Sequence, residues 1–223
     1  MDTNSYKNFY KEYYKPLNDL KGNIKTIIRN TFNSMDGSRE YVEHFFGRIK
    51  SPESVVEKMK SKGYDFDEIT PLASIETLTD IIGFRVVTHF VSDCYKVCEI
   101  LQSCKEWKVV EVKDYISCPK ETGYRSLHLI LEIPLCINNQ SLEKTKDLKS
   151  SKHSENSKIL PFKFEIQIRT IAMDCWASLE HMLKYKKNIE NSYEISKEFK
   201  ICADEISSID YSLQDIRNKI KML

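Results

Sequence analysis

The chain has little glycine and little proline, six of each in 223 residues. That excludes collagen-like and low-complexity classes. Net charge is nearly absent, with 34 Lys and Arg against 33 Asp and Glu, or +1 overall. No general attraction to nucleic acid or to an anionic membrane follows, so any anion site must be local. No run of 18 apolar residues occurs, which argues against a membrane span. The opening MDTNSYKNFYKEYYK lacks the apolar stretch of a secretory leader, so a cytoplasmic location is expected. There is no Cys-x-x-Cys pair, and the seven cysteines are an odd number. Free, reduced thiols are expected rather than a disulfide framework. Cys94 and Cys98 could share a helix face, but no nearby His or Cys pair completes a zinc site. No internal repeat is present. What remains is an ordinary globular balance, 41% hydrophobic and 30% charged, long enough for one sizeable core with a helical extension.

Residues 4–33 place Tyr10, Tyr13, Leu17, Leu20, Ile24, Ile27 and Ile28 at spacings of three and four, an amphipathic helix. Pro16 either kinks that helix or marks its true start. After a break at Asp36 and Gly37, a short helix or turn is expected through Tyr41 to Phe46. Ser51, Pro52 and Glu53 open a helix that Gly63 stops. GFRVVTHF, from Gly83 to Phe90, is β-rich, and Ser92 is expected to cap a helix ending near Cys104. Strands are expected at 107–112, 124–133 and 162–168, then helices at 171–186 and 193–221. Asn138 to Lys158 is rich in Lys, Ser and Asn and is expected to be a long hairpin loop. The order predicts an α+β or mixed α/β core with helical ends. The boundaries are 1–35 for the N-terminal helix, 40–187 for the core and 190–223 for the C-terminal helix, all one domain.

Four clusters carry chemistry. FEIQIR alternates strictly: Phe164, Ile166 and Ile168 face the core, while Glu165, Gln167 and Arg169 share the other face. That is either a solvated sheet face or a carboxylate held rigidly for metal binding or base catalysis. YISCPKETGYRSLH, from Tyr115 to His128, is a Pro- and Gly-shaped loop entering a strand. Its Lys120 and backbone N–H groups suit a phosphate, and Tyr124 is either a base-stacking platform or a packed edge residue. Tyr124, Ser126 and His128 are expected on one strand face. GRIKSPES sets Arg48 and Lys50 before a helix N-terminus, with Lys58 one turn on, an arrangement suited to polyphosphate or simply a solvated face. DIIGFR sets Asp80 before a strand, either a turn residue or, with a strand Glu, a Mg²⁺ holder. Together they form the inventory of phosphoryl-type transfer without fixing the reaction.

The stretches GRIKSPESVVEK, DIIGFRV, KDYISCPKETGYRSLH and FEIQIRTIAMDCWASLEHMLKYK, in that order across residues 47–186, resemble the synthetase domain of the RelA/SpoT family. The chain is similar to a small alarmone synthetase. The resemblance implies a nucleotidyltransferase-like mixed sheet, Mg²⁺, ATP as pyrophosphate donor, and GTP or GDP (or GMP) as acceptor, giving (p)ppGpp. By motif, Arg48 and Arg85 would sandwich adenine, and Lys50, Ser54 and Lys58 would meet the donor phosphates. Asp80 would hold Mg²⁺, and Glu165 would hold the metal or take the proton of the acceptor 3′-hydroxyl. Tyr124 would stack on guanine. Lys113, Lys120 and His128 would contact acceptor phosphates, Gln167 and Arg169 would support that face, and Asp174 would lie near the guanine edge. Trp176 reads as packing; Glu180 and His181 match the motif without an assigned role.

Some positions depart from the family pattern. Cys175 replaces a usual aromatic and is expected to loosen the guanine pocket. His44 and Phe46 do not match the allosteric alarmone cleft of tetrameric members, which argues against product activation. Tetramerisation through the helical ends is expected, since an isolated C-terminal helix needs a packing partner. An alarmone or single-stranded RNA is a candidate regulator. The rival readings are a same-fold pyrophosphokinase acting on tRNA or adenosine nucleotides, and a non-catalytic nucleotide- or RNA-binding module.

Overall fold

The computed structural model describes residues 3–34, 38–138, 157–184 and 192–223. Helix α1, Thr3–Tyr10, ends where Lys11 takes a φ of +48°, and α2, Tyr14–Asn33, follows a 3-10 turn. Pro16 therefore marks a start, not a kink. In the first turn its missing N–H has no helical acceptor to lose. Leu17, Leu20, Ile24, Ile28 and Phe32 form the buried stripe of α2.

Next come α3, Ser38–Tyr41, and strand β1, Val42–Ile49. Residues 42–46 are thus strand, not the expected continuation of a helix or turn. Pairing decides this: Phe45 lies opposite Val86 and its ring meets Phe32 edge-on, while Phe46 lies opposite Arg85. Helix α4, Pro52–Ser61, starts as expected, with Ser51 accepting from the Ser54 N–H. Helix α5, Pro71–Thr77, leads to β2, Ile82–Thr88. Helix α6, Val91–Gln102, is capped two residues earlier than expected. The Asp93 carboxylate accepts from the Phe90 N–H at 3.2 Å, so Phe90 is the cap position and Ser92 lies inside the first turn.

The remaining elements are β3, Lys108–Asp114; β4, Leu127–Asn138; β5, Ser157–Thr170; α7, Ile171–Lys184; and α8, Ser192–Lys221. Residues 124–126 precede β4 rather than belonging to it, because Gly123 turns the chain at φ +85°. The expected loop at 138–158 lies outside the described residues except for 138, 157 and 158, which are strand.

The sheet order is β1-β2-β5-β4-β3, with β2 and β5 parallel and the other pairs antiparallel. It is a mixed sheet in an α+β fold, as expected. Register makes one face apolar throughout: Phe84 sits beside Ile166, Val86 beside Ile168, and Leu127, Leu129 and Leu131 opposite Ile168, Ile166 and Phe164. These side chains are buried, and α2 and α6 pack on this sheet. A Cβ on Gly47 would come within 2.3 Å of the Phe84 ring, so only glycine lets the ring lie there.

Candidate active site

The other face of the same sheet is polar. Because side chains alternate, register alone brings Arg48, Arg85, Glu165, Gln167 and His128 to one side. Phe46, Arg48, Lys50, Asp80, Arg85, Glu165 and Gln167 line one cleft. A larger hollow lies by Trp107, Pro134 and Pro161 near the opposite sheet edge. It is a shallow depression between solvated Lys and Glu side chains, so chemistry rather than size marks the site.

At one end of the cleft, Asp80 Oδ2 accepts from Lys50 Nζ at 2.9 Å and from Lys58 Nζ at 2.8 Å. Lys50 follows β1 and Lys58 lies on α4, so the capped start of that helix aims the second lysine. Burial pushes the Asp80 carboxyl up, but the two ammonium groups outweigh it and hold it below the usual range. Its Oδ1 is buried without a partner among the described residues. Ser54 is exposed at the start of α4, with its hydroxyl accepting from Ser51 at 3.0 Å.

At the centre, Glu165 Oε1 is 2.8 Å from His128 Nδ1 and Oε2 accepts from Gln167 Nε2 at 2.7 Å. Burial raises this carboxyl too, and the bonds from His128 and Gln167 more than reverse the effect, leaving it depressed. His128 Nε2 is 2.7 Å from the Tyr124 hydroxyl, which accepts from Arg169 Nη2 at 2.6 Å. The ionised Glu165 carboxylate can only accept, so the imidazole carries a hydrogen on Nδ1, and in the neutral ring Nε2 then accepts the phenol proton.

Arg169 is 4% exposed and also donates to Gln167 Oε1 at 2.7 Å and Asp174 Oδ1 at 3.2 Å. Asp174 lies on α7 and takes Arg85 Nη1 at 2.9 Å on the same oxygen. Arg85 lies over the Phe46 ring, 5.2 Å from its centre. Lys120 sits over both Tyr115 and Tyr124, at 4.8 and 5.1 Å. Lys113 faces its Cα partner His128 across β3 and β4 and pairs with Glu111 at 3.2 Å. Ser126 does not join the polar face; it is buried, and its hydroxyl donates to the Ile168 carbonyl. Trp176 is buried and donates to the Phe199 carbonyl, a packing residue as expected. Cys175 is exposed, one helical step round from Asp174.

Three participants were assigned no part in the cleft from the sequence. Phe46 supports Arg85, Ser178 accepts from Arg85 at 3.4 Å, and Tyr115 supports Lys120. The Ser178 signal was present: it is four residues after Asp174, hence on the same helix face.

A family model described as a region found in RelA / SpoT proteins matches residues 47–190. The GTP pyrophosphokinase YwaC of Bacillus subtilis (strain 168) is 37% identical over 207 residues, 93% of this chain and 88% of the relative. The GTP pyrophosphokinase YjbM of the same strain is 32% identical over 221 residues, 99% of this chain and 92% of the relative. Among solved structures, small alarmone synthetase 1 from Bacillus subtilis bound to its product pppGpp superposes with a TM-score of 0.71 at 31% identity, covering 97% of this chain and 98% of that one. Small alarmone synthetase 2 from the same organism gives 0.71 at 34%, covering 96% and 99%. The matched span contains every polar residue of the cleft, and with this agreement in sequence and fold the chain belongs to the RelA/SpoT family.

Proposed function

We propose that the chain is a GTP/GDP pyrophosphokinase that makes (p)ppGpp from ATP. The observation that carries this reading is the shared face of Asp80 and Glu165, two depressed carboxylates in one cleft ringed by Lys50, Lys58, Arg48 and Arg85. In the reaction the acceptor 3′-oxygen bonds to the β-phosphorus of ATP. The bond from that phosphorus to the α,β-bridging oxygen breaks, and AMP leaves with the oxygen. The 3′-hydroxyl proton passes to Glu165, which is ionised at neutral pH and backed by His128.

The residues fit Mg²⁺. Asp80 spends one oxygen on two lysines and keeps the other buried, with no partner among the described residues, and Glu165 would be the second hard donor. One or two carboxylates plus substrate phosphates is the usual Mg²⁺ ligand set. When bound, the ion neutralises the triphosphate and polarises the phosphorus under attack.

Arg48 and Arg85 would hold adenine, and Lys50, Ser54 and Lys58 would meet the donor phosphates beside the α4 N-terminus. Tyr124, with Arg169 and Lys120 held 4.9 and 5.1 Å from its ring centre, is the aromatic side chain that would stack on guanine. Lys113, Lys120 and His128 lie on the acceptor side, with Gln167, Arg169 and Asp174 bracing it. Holding two nucleotides in line is itself a large part of such catalysis.

We read the chain as one synthetase domain, supported by the packing of α2 on β1 and β4 and of α8 on α6 and α7. Self-association is supported by exposed aliphatic side chains along α8. Among the described residues no helix is long and apolar enough to cross a membrane. Seven free thiols agree with a reducing compartment, the cytoplasm.

The test is transfer of label from γ-labelled ATP, with Mg²⁺, to GTP, GDP, GMP or tRNA offered separately. Label on a guanosine nucleotide is expected, with loss of about 100-fold or more in rate for Glu165→Gln. Label on tRNA or an adenosine nucleotide only would overturn the choice of acceptor.

A further inference from the structure

We infer that α8 is the backstop of the acceptor loop, with Ala203 and Asp204 as positioning residues for Tyr124. This rests on reading Tyr124 as the acceptor platform.

Tyr124 lies on the segment between β3 and β4, which has few ladder bonds of its own. The segment is folded by local bonds, Gly123 N–H to Lys120 carbonyl at 2.8 Å and Lys120 N–H to Tyr124 carbonyl at 3.2 Å. Such a turn sets its own shape but not its position. Position comes from α8. A Cβ on Gly123 would stand 2.4 Å from the Ala203 Cβ and 3.5 Å from the Lys200 Cα, so turn and helix are in direct backbone contact. Two residues later Arg125 Nη2 donates to Asp204 Oδ1 at 3.1 Å, while its Nη1 reaches the Ile116 carbonyl at 3.5 Å. One guanidinium thus ties the start of the loop to the helix. Tyr124 itself packs on Trp176, Ala177 and Ala203, and Trp176 is fixed by its bond to the Phe199 carbonyl of α8.

Ala203 and Asp204 do not line the cleft. The donor-side groups Arg48, Lys50, Lys58 and Arg85 stand on other elements. Moving the backstop should therefore displace the acceptor and leave ATP where it is. Asp204 is shared with Lys200 at 2.6 Å, so that lysine supplies a control.

The experiment is steady-state kinetics of the full chain with ATP and GDP each varied. Ala203→Leu, which pushes on the Gly123 turn, is expected to raise the GDP KM about tenfold or more, since small misplacements cost heavily. Asp204→Asn, at an exposed position, is expected to raise it about threefold to fivefold. Lys200→Ala should leave it within about twofold. The ATP KM should stay level in all three. Thermal melts show whether Ala203→Leu is folded; if it is not, Asp204→Asn decides. An unchanged GDP KM in the folded variants, or GDP and ATP KM rising together, overturns the inference while the synthetase reading stands. A wild-type chain that labels no guanosine nucleotide overturns both.

Discussion

Glu165 is kept ionised by two neighbours, His128 on one oxygen and Gln167 on the other. A carboxyl with a lowered folded pKa adds stability above its unfolded value, about 4.3, and loses that contribution as pH falls through the folded one. The same shift keeps the Glu165 carboxyl unprotonated across the neutral range. Removing His128 removes the largest force lowering that carboxyl, so its pKa must rise. His128→Ala is therefore expected to move the acid limb of the pH–kcat profile to higher pH, with kcat at pH 7 down about tenfold. His128→Asn, whose amide nitrogen can stand in for Nδ1, should restore most of the limb's position. A profile that drops in height without shifting would mean that His128 serves only substrate contacts. The Glu165, Gln167 and Arg169 face was legible in the sequence because a strand's period of two leaves no choice once the apolar set is known. The convergence of Lys50 and Lys58 on one Asp80 oxygen was not. It depends on β1 pairing with β2, a contact between segments that no local pattern encodes.

The junction of β5, α7 and α8 turns on a buried acid. Thr170 donates to Asp210 Oδ2 at 2.6 Å and accepts the Met173 N–H that opens α7. Burial raises the Asp210 carboxyl above its usual value, and the Thr170 bond offsets that only in part. A raised acid stabilises the fold below its unfolded pKa, about 3.9, and the contribution is lost as pH rises through the folded one. Asp210→Asn keeps an acceptor for Thr170 and removes the buried charge. Its Tm at pH 7 is expected to exceed wild type by about 2–4 °C, the equivalent of ~1 kcal/mol in a chain of this size. The difference should close toward pH 4, and a variant less stable at pH 7 would mean that the charge itself is required. Elements with strong periodicity or caps, such as α2, α4 and α8, were legible in the sequence. The start of β1 was not. In 42–46 two charged or titratable residues, Glu43 and His44, mask the strand pattern, and the deciding contacts, Phe45 with Phe32 and Val86, are distant in sequence.

Helix α8 carries two stripes. The inner one, Ala203, Ser207 and Asp210, is buried, and Arg217 extends it by pairing with Asp93 of α6. The outer one, Ile209, Leu213, Ile216 and Ile220, recurs at intervals of four, three and four and is exposed on this chain. That interval is the seam of a coiled coil, which keeps apolar residues facing a partner helix over several turns. Exposed aliphatic residues in line cost solubility unless covered. The α8 stripe therefore predicts pairing with the same stripe of another copy, the simplest closed arrangement for identical chains. Light scattering after size exclusion should give a mass above one 26.2 kDa chain. Ile216→Glu with Ile220→Glu should return it toward the monomer without altering the ATP KM, because both residues lie on the outer stripe, away from the cleft. A wild-type chain that elutes as a monomer at tens of micromolar would assign this stripe to some other partner. The same result would leave the Gly123–Ala203 contact untouched, since Ala203 belongs to the buried stripe of the helix and not to the exposed one.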